Sequence, residues 1–290
     1  GPANLIPRYS LVFRNGKPVA ALALQRVQVT GSQLTPDDAP SPGKSGLLKQ
    51  ALAPARKAAS TGFNPRLLIA GNLMSWGQHG IALSPDEDPA DLWPSVADAL
   101  YRIRRAERLA GQTDLLLVKD ITSSEGGVDA LRRFSYSPVE TEPDMVLSID
   151  PGWRTYDDYL GALDAKYRRN SKDQLKKLVQ AGCTLETLPD PSAESARLHQ
   201  LYLQVHRNAS LQLVTLPEGY LPGLARALGG DFSCNVIRRN GTLLGFVSVL
   251  RDRNTAIGYY IGFDREAAAE GLPVYLRLLH STIGTAIGWG

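Results

Sequence analysis

Apolar and polar residues alternate on both sides of two Asn-Gly pairs. "YSLVF" and "KPVAALALQRVQV" flank Arg14-Asn15-Gly16, while "CNVIR" and "TLLGFVSVL" flank Arg239-Asn240-Gly241. A period of two marks strands, and Asn-Gly tolerates the positive φ that a type I′ turn needs at both central positions. Each stretch is therefore predicted to be a hairpin. Between the first hairpin and the next apolar run lies a segment rich in Pro, Gly, Ser and Asp (31–65), with one short helix expected over Leu47–Ala59. Then come a strand and glycine-dense loop in "RLLIAGNLMSWGQHGIAL" and an amphipathic helix in "PADLWPSVADALYRIRRAERLAG", closed by Gly111. "TDLLLVKDI" predicts a buried parallel strand, "GGVDALRRF" a short helix, and "YSPVET" and "DMVLSID" two more strands.

The later half repeats part of this plan. Its hairpin leads into the strand "TAIGYYIGFD", the loop "REAAAEG" and the helix "LPVYLRLLHSTIGTAIGWG". Ahead of the hairpin stand a basic helix, "YLGALDAKYRRNSKDQLKKLVQAG", a strand "CTLETL", and helices in "AESARLHQLYLQVHRNA" and "EGYLPGLARAL". A shared order of strand, hairpin strand, strand and helix predicts two domains, 1–150 and 151–290, and 290 residues exceed what one core usually organises. Each copy has elements that the other lacks. The second is expected to be truncated after its central helix, unless the two copies complete one another in a shared sheet.

Composition adds exclusions. Apolar residues at 43%, charged residues at 21% and a net charge of +3 describe a globular chain with no overall basic bias toward DNA. No apolar run approaches the roughly 18 residues of a membrane helix, and no signal-peptide pattern is present, so a cytoplasmic location is expected. Two cysteines, Cys183 and Cys234, and four scattered histidines offer no metal-ligand spacing, so no metal is expected. Both cysteines open predicted strands, where a thiol acts as a small apolar residue.

The element order resembles the GNAT acetyltransferase fold, and its duplication resembles the FemAB-like peptidyl and aminoacyl transferases and related bacterial GNAT-family acyltransferases. "KYRRNSKDQLKKLVQAGCTLET" is similar to the basic helix that enters the second domain of those proteins, and "GYYIGFDRE" to their strand with a Tyr, a Gly and a following acidic residue. The resemblance implies an α/β (α+β) chain of two tandem GNAT-like domains, each a mixed, mostly antiparallel sheet flanked by helices. It implies transfer of an acyl group from a thioester, acyl-CoA or an acyl-carrier protein, to an amine of a peptide or small molecule held in a cleft between the copies. The alternatives are an aminoacyl-tRNA-dependent peptidyl transferase of cell-wall precursors and a non-catalytic peptide- or glycan-binding protein.

Acyl transfer to an amine needs a proton acceptor, a donor clamp and N–H groups for the oxyanion. His206, Tyr260 and Asp264 are the catalytic candidates, with Tyr259, Ile261, Gly262, Arg265 and Gly271 at the donor. Tyr259 and Tyr260 are expected to alternate faces, with Tyr260 toward ligand. The expected pyrophosphate loop, "DREAAAEGLPVY", departs from the family's Gly-rich pattern. Arg168, Arg169 and Lys172 lie within about one helical turn as a phosphate patch. In the first copy Asn72, Trp76 and His79, on the glycine-rich loop, and Asp120, at a parallel-strand end, are candidate substrate contacts. Each has an ordinary counterpart: a turn carboxylate, a helix-terminal histidine, a solvated charged face, a structural loop.

Overall fold

A computed structural model describes residues 2–30, 64–75, 77–122, 126–140, 144–209 and 212–290. The expected short helix over Leu47–Ala59 and most of the 31–65 insert lie outside the described residues. The chain divides into two compact units, residues 1–143 with 210–215, and residues 144–209 with 216–290.

In unit 1, β1 (Leu5–Arg14) and β2 (Lys17–Gln28) pair antiparallel. Their turn has φ of 52° at Asn15 and 78° at Gly16, as a type I′ turn requires. β2 pairs antiparallel with β3 (Arg66–Ala70) and with the short β4 (Ile81–Leu83). β3 pairs parallel with β5 (Leu115–Val118), giving the order β1-β2-β3-β5.

The crossover between β3 and β5 is α1 (Pro89–Leu109). Asp88 caps it by accepting from the Ala90 amide, and Pro89 supplies a pre-set first turn. Its buried stripe, Leu92, Trp93, Val96, Ala97 and Leu100, follows helical spacing, and most of it packs on Leu22, Leu24, Leu68 and Ala70. Below the sheet Val27, Val29, Leu67 and Ile69 meet Leu213 and Val214. Because β3 is buried on both faces, its sequence is a continuous apolar run. The short helix α2 (Gly127–Arg132) sets Gly127 against the Trp93 ring, where a Cβ would come within 2.8 Å.

Two expected strands are absent. Residues 136–140 and 144–150 form no strand among the described residues, and Met145 and Val146 are 97% and 86% exposed. Their alternating sequences suit a strand, but a strand also needs a neighbour to satisfy its backbone groups, and among the described residues none pairs with them.

Unit 2 opens with α3 (Tyr156–Ala162), started by a reciprocal capping box between Thr155 and Asp158. The basic stretch expected as one helix is two. The chain breaks at Leu163 and Asp164, where ψ becomes extended, and restarts as α4 (Ala165–Gln180). β6 (Cys183–Thr187) then pairs antiparallel with β7 (Phe232–Arg239). Between them run α5 (Ser195–His206) and α6 (Tyr220–Leu228). β7, β8 (Thr242–Asp252) and β9 (Thr255–Phe263) complete an antiparallel sheet in the order β6-β7-β8-β9. α7 (Arg265–Ala269) and α8 (Val274–Trp289) follow.

Two glycines set the layer spacing. A Cβ on Gly262 would lie 2.5 Å from the Tyr202 nitrogen and 2.6 Å from the Leu201 carbonyl carbon, so α5 rests on β9 backbone to backbone. Gly245 admits Val274 and Leu278 of α8 in the same way. Asn235, buried in β7, donates to Ser281 and Thr285 and accepts from Thr187 and Ser233, which fixes α8 on the sheet with its amide fully used.

The two hairpins share fine geometry. Asn240 and Gly241 have φ of 51° and 81°. Each hairpin has one extra residue on its second strand, Val19 in the first and Leu244 in the second, three positions after the turn glycine. The arginine before each turn reaches a glutamate, Arg14 to Glu87 ahead of α1 and Arg239 to Glu270 between α7 and α8.

Candidate functional site

The bulge in β9 organises the aromatic site of unit 2. Val247 pairs with Ile261 and Val249 with Gly258, so Ser248 alone faces both Tyr259 and Tyr260. The Ser248 hydroxyl accepts from the Tyr260 amide at 3.0 Å and donates to the Tyr260 carbonyl at 3.1 Å. With one residue too many, strict alternation fails, and the two tyrosine rings lie 4.5 Å apart instead of on opposite faces. The expected division of Tyr259 and Tyr260 between core and ligand sides is therefore corrected: both contact Tyr220 of α6. The Tyr259 and Tyr220 hydroxyls are 2.6 Å apart.

α5 adds a stack. Tyr202 lies between His199 and His206, nearly parallel to each, and meets Tyr260 edge-on. The Tyr202 hydroxyl accepts from the Leu216 amide. Burial lowers the pKa of His206, which keeps its imidazole neutral near pH 7. Burial, reinforced by the neighbouring phenols, pushes Tyr259 and Tyr260 well above the usual phenol range, so both stay protonated donors. His206, Tyr259 and Tyr260 thus belong to one cluster with Tyr202 and Tyr220.

Asp264 has a different setting. One oxygen pairs with Arg197 at 2.9 Å, and the other accepts from the Glu266 and Ala267 amides, capping α7. Burial alone would raise its pKa, but these partners outweigh it and hold the carboxylate below its usual range. A carboxylate so engaged is a weak proton acceptor.

The loop after β9 uses its amides internally. The Arg265 amide goes to the Gln204 side chain, and those of Glu266 and Ala267 go to Asp264. Those of Ala268, Glu270, Gly271, Leu272 and Val274 go to backbone carbonyls of residues 264 to 272. Gly271, with φ of 85°, makes the turn into α8. The Arg265 guanidinium bonds Asn208 at the end of α5 and is exposed. This segment offers little free backbone for cradling a phosphate.

Arg168, Arg169 and Lys172 lie on α4, which packs against β6 and α8. Arg168 donates to the Gly161 carbonyl, while Arg169 and Lys172 are exposed. The helix buries only the narrow stripe Ser171, Gln174 and Leu178.

In unit 1 the loop after β3 braces itself. Asn72 accepts from the Met74 amide and from Gln25, whose own oxygen accepts from the Leu73 amide. His79 accepts from the Ile81 amide and meets the Trp93 ring edge-on. Trp76 lies outside the described residues. Asp120 stands at the end of β5 with a left-handed φ of 57° and pairs with Lys119. Lys119 also donates to the Ser75 carbonyl at 2.7 Å, and Gly71 leaves room for its stem, since a Cβ there would lie 2.5 Å from the lysine Cγ. Asn72, His79 and Asp120 thus share one loop region, with side chains largely occupied in holding it.

Reading the sequence missed Tyr202, Tyr220, Ser248, Arg197 and Lys119. A lone serine inside the apolar run "GFVSVL" was the available signal for Ser248. The others depend on contacts across the fold. Both cysteines are free and buried, and burial pushes the Cys234 thiol up to about 12, which removes it as a nucleophile at neutral pH. Among the described residues no cluster of His, Cys, Asp and Glu could hold a metal ion, and no helix is long and apolar enough to cross a membrane.

Residues 165–290, somewhat under half of the chain, match the family model described as the acetyltransferase (GNAT) domain. The matched residues begin at the start of α4 and run through α8, so the similarity falls within unit 2. No curated protein matches the chain. Among solved structures, one titled as a crystal structure of FemX is 10% identical, covers 99% of this chain and 78% of its own, and has a TM-score of 0.48. Another is the C-terminal DUF2156 domain of a putative lysylphosphatidylglycerol synthetase from Agrobacterium fabrum. It is 12% identical, covers 97% of this chain and 67% of its own, and has a TM-score of 0.40.

Proposed function

We propose that unit 2 transfers an acyl or aminoacyl group from an activated carboxyl donor to an amine, and that the two units are tandem copies of one GNAT-like plan, as domains 1–150 and 151–290. The shared turn, bulge position and arginine-to-glutamate reach of the hairpins support the duplication. The observation that carries the chemistry is His206, kept neutral by burial and joined through Tyr202 to the bulged tyrosines.

In this reading the His206 imidazole takes the proton that the attacking amine gives up. A carbon–nitrogen bond forms, and the carbonyl becomes a tetrahedral oxyanion. Because the Tyr260 amide is given to Ser248 and the register turns the Gly262 amide toward β8, the oxyanion is met by other donors around the bulge, among them the backbone at Ile261 and the protonated phenols. The carbon–sulfur or carbon–oxygen bond of the donor then breaks, and the leaving group takes up the proton that His206 accepted from the amine, while Tyr260 stays a protonated hydrogen-bond donor. Asp264 is a positioning residue, holding Arg197 and the start of α7. Tyr259, Arg265 and Gly271 border the donor, an acyl-CoA or acyl-carrier thioester. Asn72, Trp76, His79 and Asp120 remain acceptor-binding candidates in unit 1.

One observation favours a second reading. The amides from Arg265 to Val274 are mostly spent, while α4 displays Lys166, Arg169, Lys172, Lys176 and Lys177 to solvent. That arrangement suits an RNA-linked donor, an aminoacyl-tRNA, better than a backbone-held pyrophosphate, and Arg168, Arg169 and Lys172 would then meet its phosphates.

The test is a donor panel of acyl-CoA thioesters, acyl-carrier protein and aminoacyl-tRNA against amine acceptors, with and without ribonuclease. His206→Gln is expected to lower kcat by about 100-fold with KM little changed. Full activity in that variant would remove the proposed base. Binding without turnover of every donor would favour a non-catalytic peptide- or glycan-binding protein.

A further inference from the structure

β1 is the outer strand of the unit 1 sheet and pairs only with β2 among the described strands. It is ten residues long and regular, because the extra residue of the hairpin lies on β2. Natural edges are usually guarded by charge, by shortness or by a covering element. This one carries Tyr9, Leu11 and Phe13 in a row on one face, 81%, 56% and 59% exposed. On the other face Val12 packs toward α1, and a groove of about 600 Å³ separates residues Leu11–Arg14 from Pro94–Arg102 of the helix. The helix therefore leaves space for another strand beside β1.

We propose that β1 pairs antiparallel with β1 of a second copy of this chain, about a two-fold axis at Ser10. A two-fold axis through the sheet sets residues of the same face opposite one another, so the chemistry of each register can be compared. With the axis at Ser10, Tyr9 faces Leu11 of the second copy and Phe13 faces its Pro7, which gathers the exposed apolar side chains on one face; Pro7 has no N–H, so the ladder has its full pair of bonds only between Tyr9 and Leu11. On the other face Arg8 lies opposite Val12 and Ile6 opposite Arg14, so no like charges meet. Arg8 of the second copy also arrives at the groove rim that Asp98 helps to line. Moving the axis to Leu11 would set Arg8 against Arg14, which cross-strand repulsion disfavours. Moving it to Tyr9 would place Phe13 opposite Leu5, a residue already packed into the unit's own core. Such a ladder buries on the order of 1,000 Å², at the low end of specific interfaces, so the dimer forms reversibly at micromolar concentration.

Sedimentation of the full chain across the micromolar range tests this. The expected result is a concentration-dependent monomer–dimer equilibrium, with Leu11→Lys raising the dissociation constant about tenfold or more. Leu11 is exposed, so the variant should keep the wild-type melting curve, and that control separates lost pairing from lost folding. Ser10→Cys should cross-link to its own copy under mild oxidation, because the paired Cβ atoms would be roughly 5 Å apart. Arg8→Cys should not, and the two natural cysteines are buried. A chain that stays monomeric throughout, a dimer indifferent to Leu11→Lys, or cross-linking at position 8 in preference to position 10 would each overturn the proposal.

Discussion

At Asn15–Gly16 and at Asn240–Gly241 the chain makes the same turn, with the same bulge offset and an arginine reaching a glutamate farther along the chain. The flanks of the two hairpins differ. In unit 2 the outer strand β7 is covered by β6, while β9 pairs only with β8 among the described strands. In unit 1 the outer strand β1 pairs with no strand but β2 among the described residues, while β3 is covered in parallel by β5. Each unit thus closes the side that the other leaves open. A hairpin's inner geometry is local, set by its turn residues, whereas the closure of its sheet is decided by whatever chain arrives from elsewhere.

Replacing Gly262 with Val gives the largest expected change and separates the units most sharply. The added Cβ meets backbone of α5, which cannot move aside like a side chain, so a loss of about 3 kcal/mol or more is expected in unit 2. Hydrogen exchange should show β8 and β9 losing protection while β2 and β3 keep theirs. Equal loss in both units would show that they do not open independently.

Acidification is the next means of separating them. Burial, with Arg277 adding for His280, lowers the pKa of both His206 and His280 in unit 2. The unfolded chain then binds protons that the folded unit refuses, in the window from the ordinary histidine value of about 6.5 down to the lowered folded values. The stability these residues contribute is complete above that window and falls as pH drops through it. Protection of β8 and β9 should therefore decline between neutral pH and mildly acidic pH, and His280→Gln should flatten the decline. A pH-independent unit 2 would contradict the burial assigned to both rings. Asp264, whose pKa is also lowered, acts only at more acidic pH, below the ordinary carboxylate range.

The smallest effects sharpen the likeness. Arg14→Ala and Arg239→Ala each remove a partly exposed ion pair, and both are expected to cost little. Similar small shifts in local hairpin exchange would extend the correspondence of the two turns. A large effect at one alone would make that pair structural and end the parallel.

How much was legible in the sequence follows from the same division between local and distant causes. Both hairpins, α1 and α8 could be read from Asn-Gly, from capping residues and from spacing, because those signals lie within the element itself. The candidate residues His206, Tyr259 and Tyr260 were named from sequence, but the placing of both tyrosines against Tyr220 was not, because it comes from a bulge defined by Ser248 on the neighbouring strand. Residues 144–150 read as a strand because alternation was present, and they are not one because alternation says nothing about who sits alongside. The break at Leu163 and Asp164 was hidden among residues that favour helix on either side.

The Ser248 hydroxyl binds both the amide and the carbonyl of Tyr260, so a single oxygen stands in for the peptide unit missing from that strand. Its replacement by alanine would be a loss of one atom in volume but of two backbone partners in the interior. Cysteine, with longer bonds and a weaker donor, would fill the space without restoring either. The identity of one small side chain on β8 therefore fixes the tilt of two aromatic rings on β9.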